Sequence, residues 1–202
     1  MILGLTGGYC AGKNTVARLL SERGWVCCDV DLLGHAALER SLAAVTELLG
    51  PGILRPDGNP DRREIGRLVF SAPSLLARYE AIVHPALFAL VDGVISETGG
   101  RDLCLNAAIL YKLPQLARCG AVMEVRSPLP ARIRRGRARD GLSLAAVLDR
   151  IKRQKPLWER RREYAGPVFI LRNSGSEARL ARLLDAALER LGRGRPSPSQ
   201  AS

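Results

Sequence analysis

Apolar positions along the chain fall into short runs that alternate with helical stripes. Residues 2–6 (ILGLT) form an apolar run bounded by glycine, the pattern of a strand buried on both faces. Residues 14–22 then place Val16, Ala17, Leu19 and Leu20 at helical spacing. Residues 25–28 (WVCC) read as a second strand, which runs into Asp29. Helical patterning fills 32–49, gives way to the turn-rich PGILRPDGNPD at 51–61, and resumes over 62–70 and 73–96. Residues 103–107, 121–125 and 168–171 read as strands. Residues 129–162 read as helical, broken at Asp140-Gly141 and restarted by an N-cap at Ser143, and 177–191 read as a last helix.

Strands that alternate with helices predict an α/β fold, a parallel sheet with helices on both faces. The helical stretch between the second and third strands is longer than one crossover needs, so it reads as an insertion. The helical pair after residue 129 reads as a second one. The core is then about 1–30, 100–128 and 165–191, with the first insertion at about 32–98 and the second at about 129–163. The tail at 192–202 is expected to be disordered. No apolar run is read as long enough to span a membrane, and the apolar start meets glycines and a lysine without a basic leader.

Composition sharpens this picture in two places. Five cysteines, an odd number without metal-ligand spacing, do not suggest a disulfide framework. Cys27 and Cys28 are expected to be small buried hydrophobes, and the chain is expected in a reducing cytoplasm. The formal net charge is +11, and residues 130–163 hold twelve Arg and Lys against four Asp and Glu, a local net of +8. Such a field attracts nucleic acid, a membrane surface or a polyphosphate ligand. Aromatic residues are only 4% of the chain, and Trp158 and Tyr164 alone lie near the basic segment, too few for a base-stacking platform.

The turn after the first strand is Gly7-Gly8-Tyr9-Cys10-Ala11-Gly12-Lys13, which satisfies G-x-x-x-x-G-K in its required strand–turn–helix setting. Backbone N–H groups from Tyr9 to Asn14 are expected to cradle a phosphate, helped by the positive end of the helix and by Lys13. Gly8, Tyr9, Cys10, Ala11, Gly12, Lys13, Asn14 and Thr15 are therefore the expected nucleotide contacts. Asn14 stands where a Ser or Thr hydroxyl would ligate Mg²⁺, and its amide oxygen could serve directly or through water. Asp29 and Asp31 follow the second strand at the same edge of the sheet. Two carboxylates at i and i+2 of an extended segment can point the same way. One could orient magnesium, Asp29 with Asn14, while Asp31 accepts a proton from an attacking hydroxyl.

These blocks, in order, resemble the dephospho-coenzyme A kinase family, which opens TGGIGSGKST and follows with DAD where this chain has TGGYCAGKNT and DVD. PDGNPDRREIGRLVF resembles its DG-x-x-DR segment, Ile82-Val83-His84-Pro85 its LHP, and Arg135 with Arg139-Asp140-Gly141-Leu142-Ser143 its R-x-x-x-RDGLS. Gln154 and Asn173-Ser174-Gly175-Ser176 complete the set, over roughly residues 2–190. The family's D-x-PLL-x-E appears as NAAILYK, with Ala108 for a proline and Lys112 for an acid. The resemblance implies a P-loop core, a helical substrate-binding insertion and a lid. It implies ATP and Mg²⁺ as cofactors and transfer of the γ-phosphoryl to the ribose 3′-hydroxyl of dephospho-coenzyme A. By it Asp31 would be the base, Lys13, Arg135 and Arg139 would act on the phosphates, and Arg62 and His84 would contact substrate. His84 could equally pack or cap. Another small-molecule kinase, such as a nucleoside monophosphate kinase, and a degenerate basic binding protein are the competing readings. The expected partner is a small molecule, with neither nucleic acid nor membrane, for a monomer or weak oligomer.

Overall fold

The computed structural model describes residues 1–192, so the tail expected to be disordered lies, from 193 on, outside the described residues. In chain order the elements are β1 (Ile2–Gly7), α1 (Lys13–Ser21), β2 (Val26–Asp29), α2 (Val30–Arg40), α3 (Leu42–Leu49), α4 (Arg62–Val69) and α5 (Pro73–Glu97). They continue with β3 (Leu103–Asn106), β4 (Ala121–Arg126), α6 (Leu129–Asp140), α7 (Leu144–Arg153), β5 (Val168–Arg172) and α8 (Glu177–Arg190). The chain divides into two compact units, one made of Met1–Asp29 with the chain from Thr98 on, the other of Val30–Glu97.

The first unit is built on a five-stranded sheet in the order β2-β3-β1-β4-β5, every pair parallel. The apolar runs that mark β1, β3 and β4 are buried almost throughout, as strands covered by helices must be. Leu3, Leu5, Cys104 and Met123 join Val16, Leu19 and Leu20 of α1 and Leu180, Leu184 and Leu188 of α8 in one core. Each such leucine contributes roughly 1.5–3 kcal/mol by leaving water. The register sets Asn106 opposite both Leu5 and Asp29. The ends of β1, β2 and β3 thus align at the carboxyl edge of the sheet, where open α/β folds bind ligands.

The second unit is helical. Asp61 caps α4 by accepting from the N–H groups of Arg63 and Glu64. The 25-residue α5 lays Val83, Leu87, Val91 and Ile95 along one buried stripe, and α2, α3 and α4 pack against it. By length and composition α5 is also apolar enough to cross a membrane, which corrects the expectation that no segment is. Glu80, His84 and Asp92 interrupt its apolar residues, so no unbroken apolar run marks it in the sequence.

Two further expectations change. The segment expected to be extended at Asp29 and Asp31 is not, because α2 starts at Val30 and puts Asp31 in its first turn. The i, i+2 argument for a shared direction therefore fails. The helical stretch after residue 143 also ends as α-helix at Arg153, and Lys155–Glu163 is 3₁₀. Pro156 lacks the N–H that would carry α7 onward.

Candidate active site

The loop between β1 and α1 is held by its glycines. Gly12 has φ 104°, and a Cβ there would lie 2.2 Å from Asn173 Nδ2, which itself donates to the Ala11 carbonyl at 2.9 Å. A Cβ on Gly7 would meet the Val125 carbonyl at 2.7 Å. Cys10 has φ 55°, the only positive φ outside glycine among the described residues. Two loop amides are engaged within the protein, which corrects the expectation that all from Tyr9 to Asn14 face a phosphate. Ala11 N–H turns back to the Gly8 carbonyl at 2.9 Å, the short bond that closes the turn. Tyr9 N–H donates to Gln154 Oε1.

Side chains of α6 and α7 close over the loop. Arg132 Nε donates to the Tyr9 carbonyl at 2.8 Å. Arg135 reaches Ser127 Oγ at 3.0 Å and, at longer range, the carbonyls of Cys10 and Ala11 and Asn173 Oδ1. Arg139, one helical turn further, does not share this target. It forms a two-point ion pair with Asp140 at 2.7 and 3.0 Å and lies over the Tyr9 ring. Arg150 also lies over that ring and bonds Asp140 at 3.2 Å. The Tyr9 hydroxyl donates to Asp140. Burial, and then the bond to Asp140, push the Tyr9 phenol up to about 12. The Arg139 bond, joined by that from Tyr9, holds the Asp140 carboxyl down at about 2.

A cleft of about 360 Å³ opens beside this loop, lined by Gly8, Ala11, Ser127, Arg126, Arg132 and Arg161 among others. Two of its arginines are held by Glu124, whose side chain is 0% exposed and accepts from Tyr111 at 2.7 Å, from Arg126 at 2.7 Å and from Arg161. Burial alone would raise the Glu124 carboxyl, but these bonds outweigh it and leave it below the usual range. A larger open depression of about 700 Å³ along α6 is lined by Leu129, Ile133, Arg134, Arg137 and Leu142 and contains none of the loop residues. The loop residues Gly8 and Ala11 and the arginines beside them line the smaller cleft.

The other expected residues lie as follows. Lys13 and Asn14 open α1, and Asn14 Oδ1 accepts from Asn106 Nδ2 at 3.1 Å. Thr15 follows in the first turn, and Asp29 ends β2 half-buried. In the helical unit Asp31 is exposed in the first turn of α2. Arg62 opens α4 and pairs with Glu39 at 3.1 Å. The His84 ring lies 5.2 Å from that of Phe88, so packing accounts for at least one of its faces. Arg132 and Asn106 went unread in the sequence. Arg132 was one basic residue among several on α6, and only its i, i+3 spacing to Arg135 could have marked it. Asn106 heads the NAAILYK segment, at the place where the resembling motif begins with an acid.

Comparison with known proteins agrees with this geometry. A family model described as Dephospho-CoA kinase matches residues 1–178. The dephospho-CoA kinase of Thermus thermophilus is 35% identical over 191 residues, 95% of this chain and 92% of that protein. That of Anaeromyxobacter dehalogenans is 35% identical over 206 residues, covering 98% and 96%. The crystal structure of TT1252 from Thermus thermophilus superposes with a TM-score of 0.79 at 37% identity, covering 95% of this chain and 97% of that one.

Proposed function

The chain belongs to the dephospho-CoA kinase family, and from that premise we propose how its own residues carry out ATP-dependent phosphorylation of the 3′-hydroxyl of dephospho-CoA, the last step of coenzyme A synthesis. The observation that carries the proposal is the arginine-lined cleft opening on Gly8 and Ala11 of the glycine loop. It is concave, cationic and sized for a polyphosphate.

Lys13 and the first-turn amides of α1 hold the terminal phosphates of ATP. Arg135, already bonded across the loop carbonyls, and Arg132 beside it neutralise charge that spreads over the transferring group. Arg139 joins them when it exchanges Asp140 for phosphate. A well-placed arginine of this kind can supply about 10³-fold, on the order of 4 kcal/mol. Asp31 orients the 3′-hydroxyl and takes its proton late, since an alcohol far above neutrality in pKa is not ionised beforehand. The oxygen–γ-phosphorus bond forms as the bond to the β-phosphate oxygen breaks, and ADP leaves. Arg62 and His84 contact substrate within the unit Val30–Glu97, which receives dephospho-CoA, while residues 129–163 act as the lid. The chain works in the cytoplasm as a monomer or weak oligomer.

Magnesium is the expected companion of ATP, and the donor set suits it. Asn14 offers a hard oxygen, and Asn106 behind it has a buried oxygen with no partner among the described residues. Asp29 adds a carboxylate at the strand position opposite Asn106. Asn14 and Asp29 would hold the ion, which when bound screens the β- and γ-phosphate charge.

The test is a substrate panel in which ATP consumption is followed with dephospho-CoA, AMP, CMP and UMP as acceptors. Turnover with dephospho-CoA well above the others is expected. Equal or better turnover with a nucleoside monophosphate would overturn the assignment.

A further inference from the structure

Phosphate-loop NTPases commonly hold their metal with a Ser or Thr after the loop lysine and an aspartate on a neighbouring strand. Both positions are asparagine here. Asn14 follows Lys13, and Asn106 closes β3, the strand hydrogen-bonded to β1. The two side chains meet, with Asn106 Nδ2 donating to Asn14 Oδ1 at 3.1 Å. Asn106 is 3% exposed, and its own Oδ1 has no partner among the described residues. Leaving such an atom unsatisfied is costly, so a bound ligand that supplies the missing donor accounts for its retention.

We propose that Asn14 and Asn106 form a charge-neutral amide pair that together replaces the hydroxyl–carboxylate pair and, beside the Asp29 carboxylate, accepts magnesium with its nucleotide. The proposal rests on the kinase reading above. An amide oxygen has two lone pairs. Asn106 occupies one on Asn14 Oδ1 and leaves the second for a cation, and it also fixes which end of the Asn14 amide is presented. The unpartnered Asn106 Oδ1 accepts from a metal-bound water. The pair has no charge of its own, so the Asp29 carboxylate opposite Asn106 and the nucleotide phosphates supply the anionic oxygens that this hard cation prefers.

The pair therefore changes only as a unit. Asn106→Asp alone puts an acceptor-only group against Asn14 Oδ1, which is itself an acceptor. The Asn14 amide must turn its Nδ2 toward the new carboxylate, which withdraws its oxygen from the metal. When Asn14→Ser is added, the same carboxylate finds a hydroxyl donor, and a conventional pair is rebuilt.

The experiment measures ADP affinity by calorimetry in EDTA and in Mg²⁺, for the parent, Asn14→Ser, Asn106→Asp and the double variant. The ratio of the two affinities is the reading. Asn106→Asp is expected to lose on the order of tenfold in that ratio, the usual scale for disturbing a group behind a metal ligand. The double variant is expected to recover the loss and exceed the parent. Because it includes Asn106→Asp and relieves the clash with Asn14, it remains decisive if the single variant folds poorly. A double variant at or below the parent, or single effects that simply add, would overturn the pair while leaving nucleotide binding intact. A parent that binds no ADP under either condition would overturn the kinase reading, and the pair with it.

Discussion

At position 10 the chain accepts a conformation that its residue type resists. Cys10 sits at φ 55°, where the resembling motif has glycine, and an L-residue in the left-handed region costs roughly 1–2 kcal/mol. Cys10→Gly should raise stability by about 0.5–1 kcal/mol, after the extra freedom glycine gives the unfolded chain is subtracted. A urea denaturation midpoint checks this. At Gly12 the sign reverses. Its φ of 104° and the 2.2 Å approach of Asn173 Nδ2 leave no room for a methyl group. Gly12→Ala should destabilise by about 1–3 kcal/mol in the same assay, with loss of ADP binding. Glu124 is the third sensitive residue, since it is fully enclosed and balances two arginines. Glu124→Gln leaves the cations of Arg126 and Arg161 without their anion and should cost on the order of 3 kcal/mol. A loss well below that, under about 0.5 kcal/mol, would show that the arginines are held in some other way.

Among the elements, α6 and α7 show where sequence reading succeeds and where it stops. The break at Gly141 and the cap at Ser143 were legible because both have local causes, a left-handed φ and a side-chain bond to Ala146 N–H. Arg135 and Arg139 were legible as a pair at i, i+4, but their different targets were not. What separates them is Asp140, which lies next to Arg139 and captures it, and Tyr9, which reaches the same carboxylate from 131 residues away. That latch has a pH signature. The Asp140 carboxyl is held at about 2 in the folded chain against an ordinary 3.8, so its contribution is complete above about pH 3.8. It is lost as pH falls from there through about 2. The stability difference between the parent and Asp140→Asn should therefore be constant from about pH 7 to 5 and shrink below about 4. A difference that grows on acidification would contradict the latch. For Arg135, whose guanidinium spans Ser127, Asn173 and two loop carbonyls, lysine cannot reproduce the fork. Arg135→Lys should lower kcat by about tenfold or more with less change in KM.

On the scale of the whole molecule, the parallel sheet was readable because short apolar runs bounded by glycine and turn signals suit strands buried on both faces. The glycine loop was readable because its chemistry is contiguous in sequence. Asp31 was readable as a candidate but not in its conformation, since α2 begins at Val30, inside the DVD triplet, where the apolar pattern alone places no helix start. Arg132, Asn106 and the Glu124 network were illegible for a common reason: each gains meaning from a residue at least 37 positions away. The central claim is that the loop from Gly7 to Thr15 holds ATP for transfer to dephospho-CoA. The measurement that bears on it most directly is ADP release coupled to NADH oxidation, with dephospho-CoA and ATP, on the parent and on Lys13→Ala. Turnover by the parent and its loss by about a hundredfold or more in the variant is the predicted result. A parent that releases no ADP, or a variant that matches it, would contradict the account.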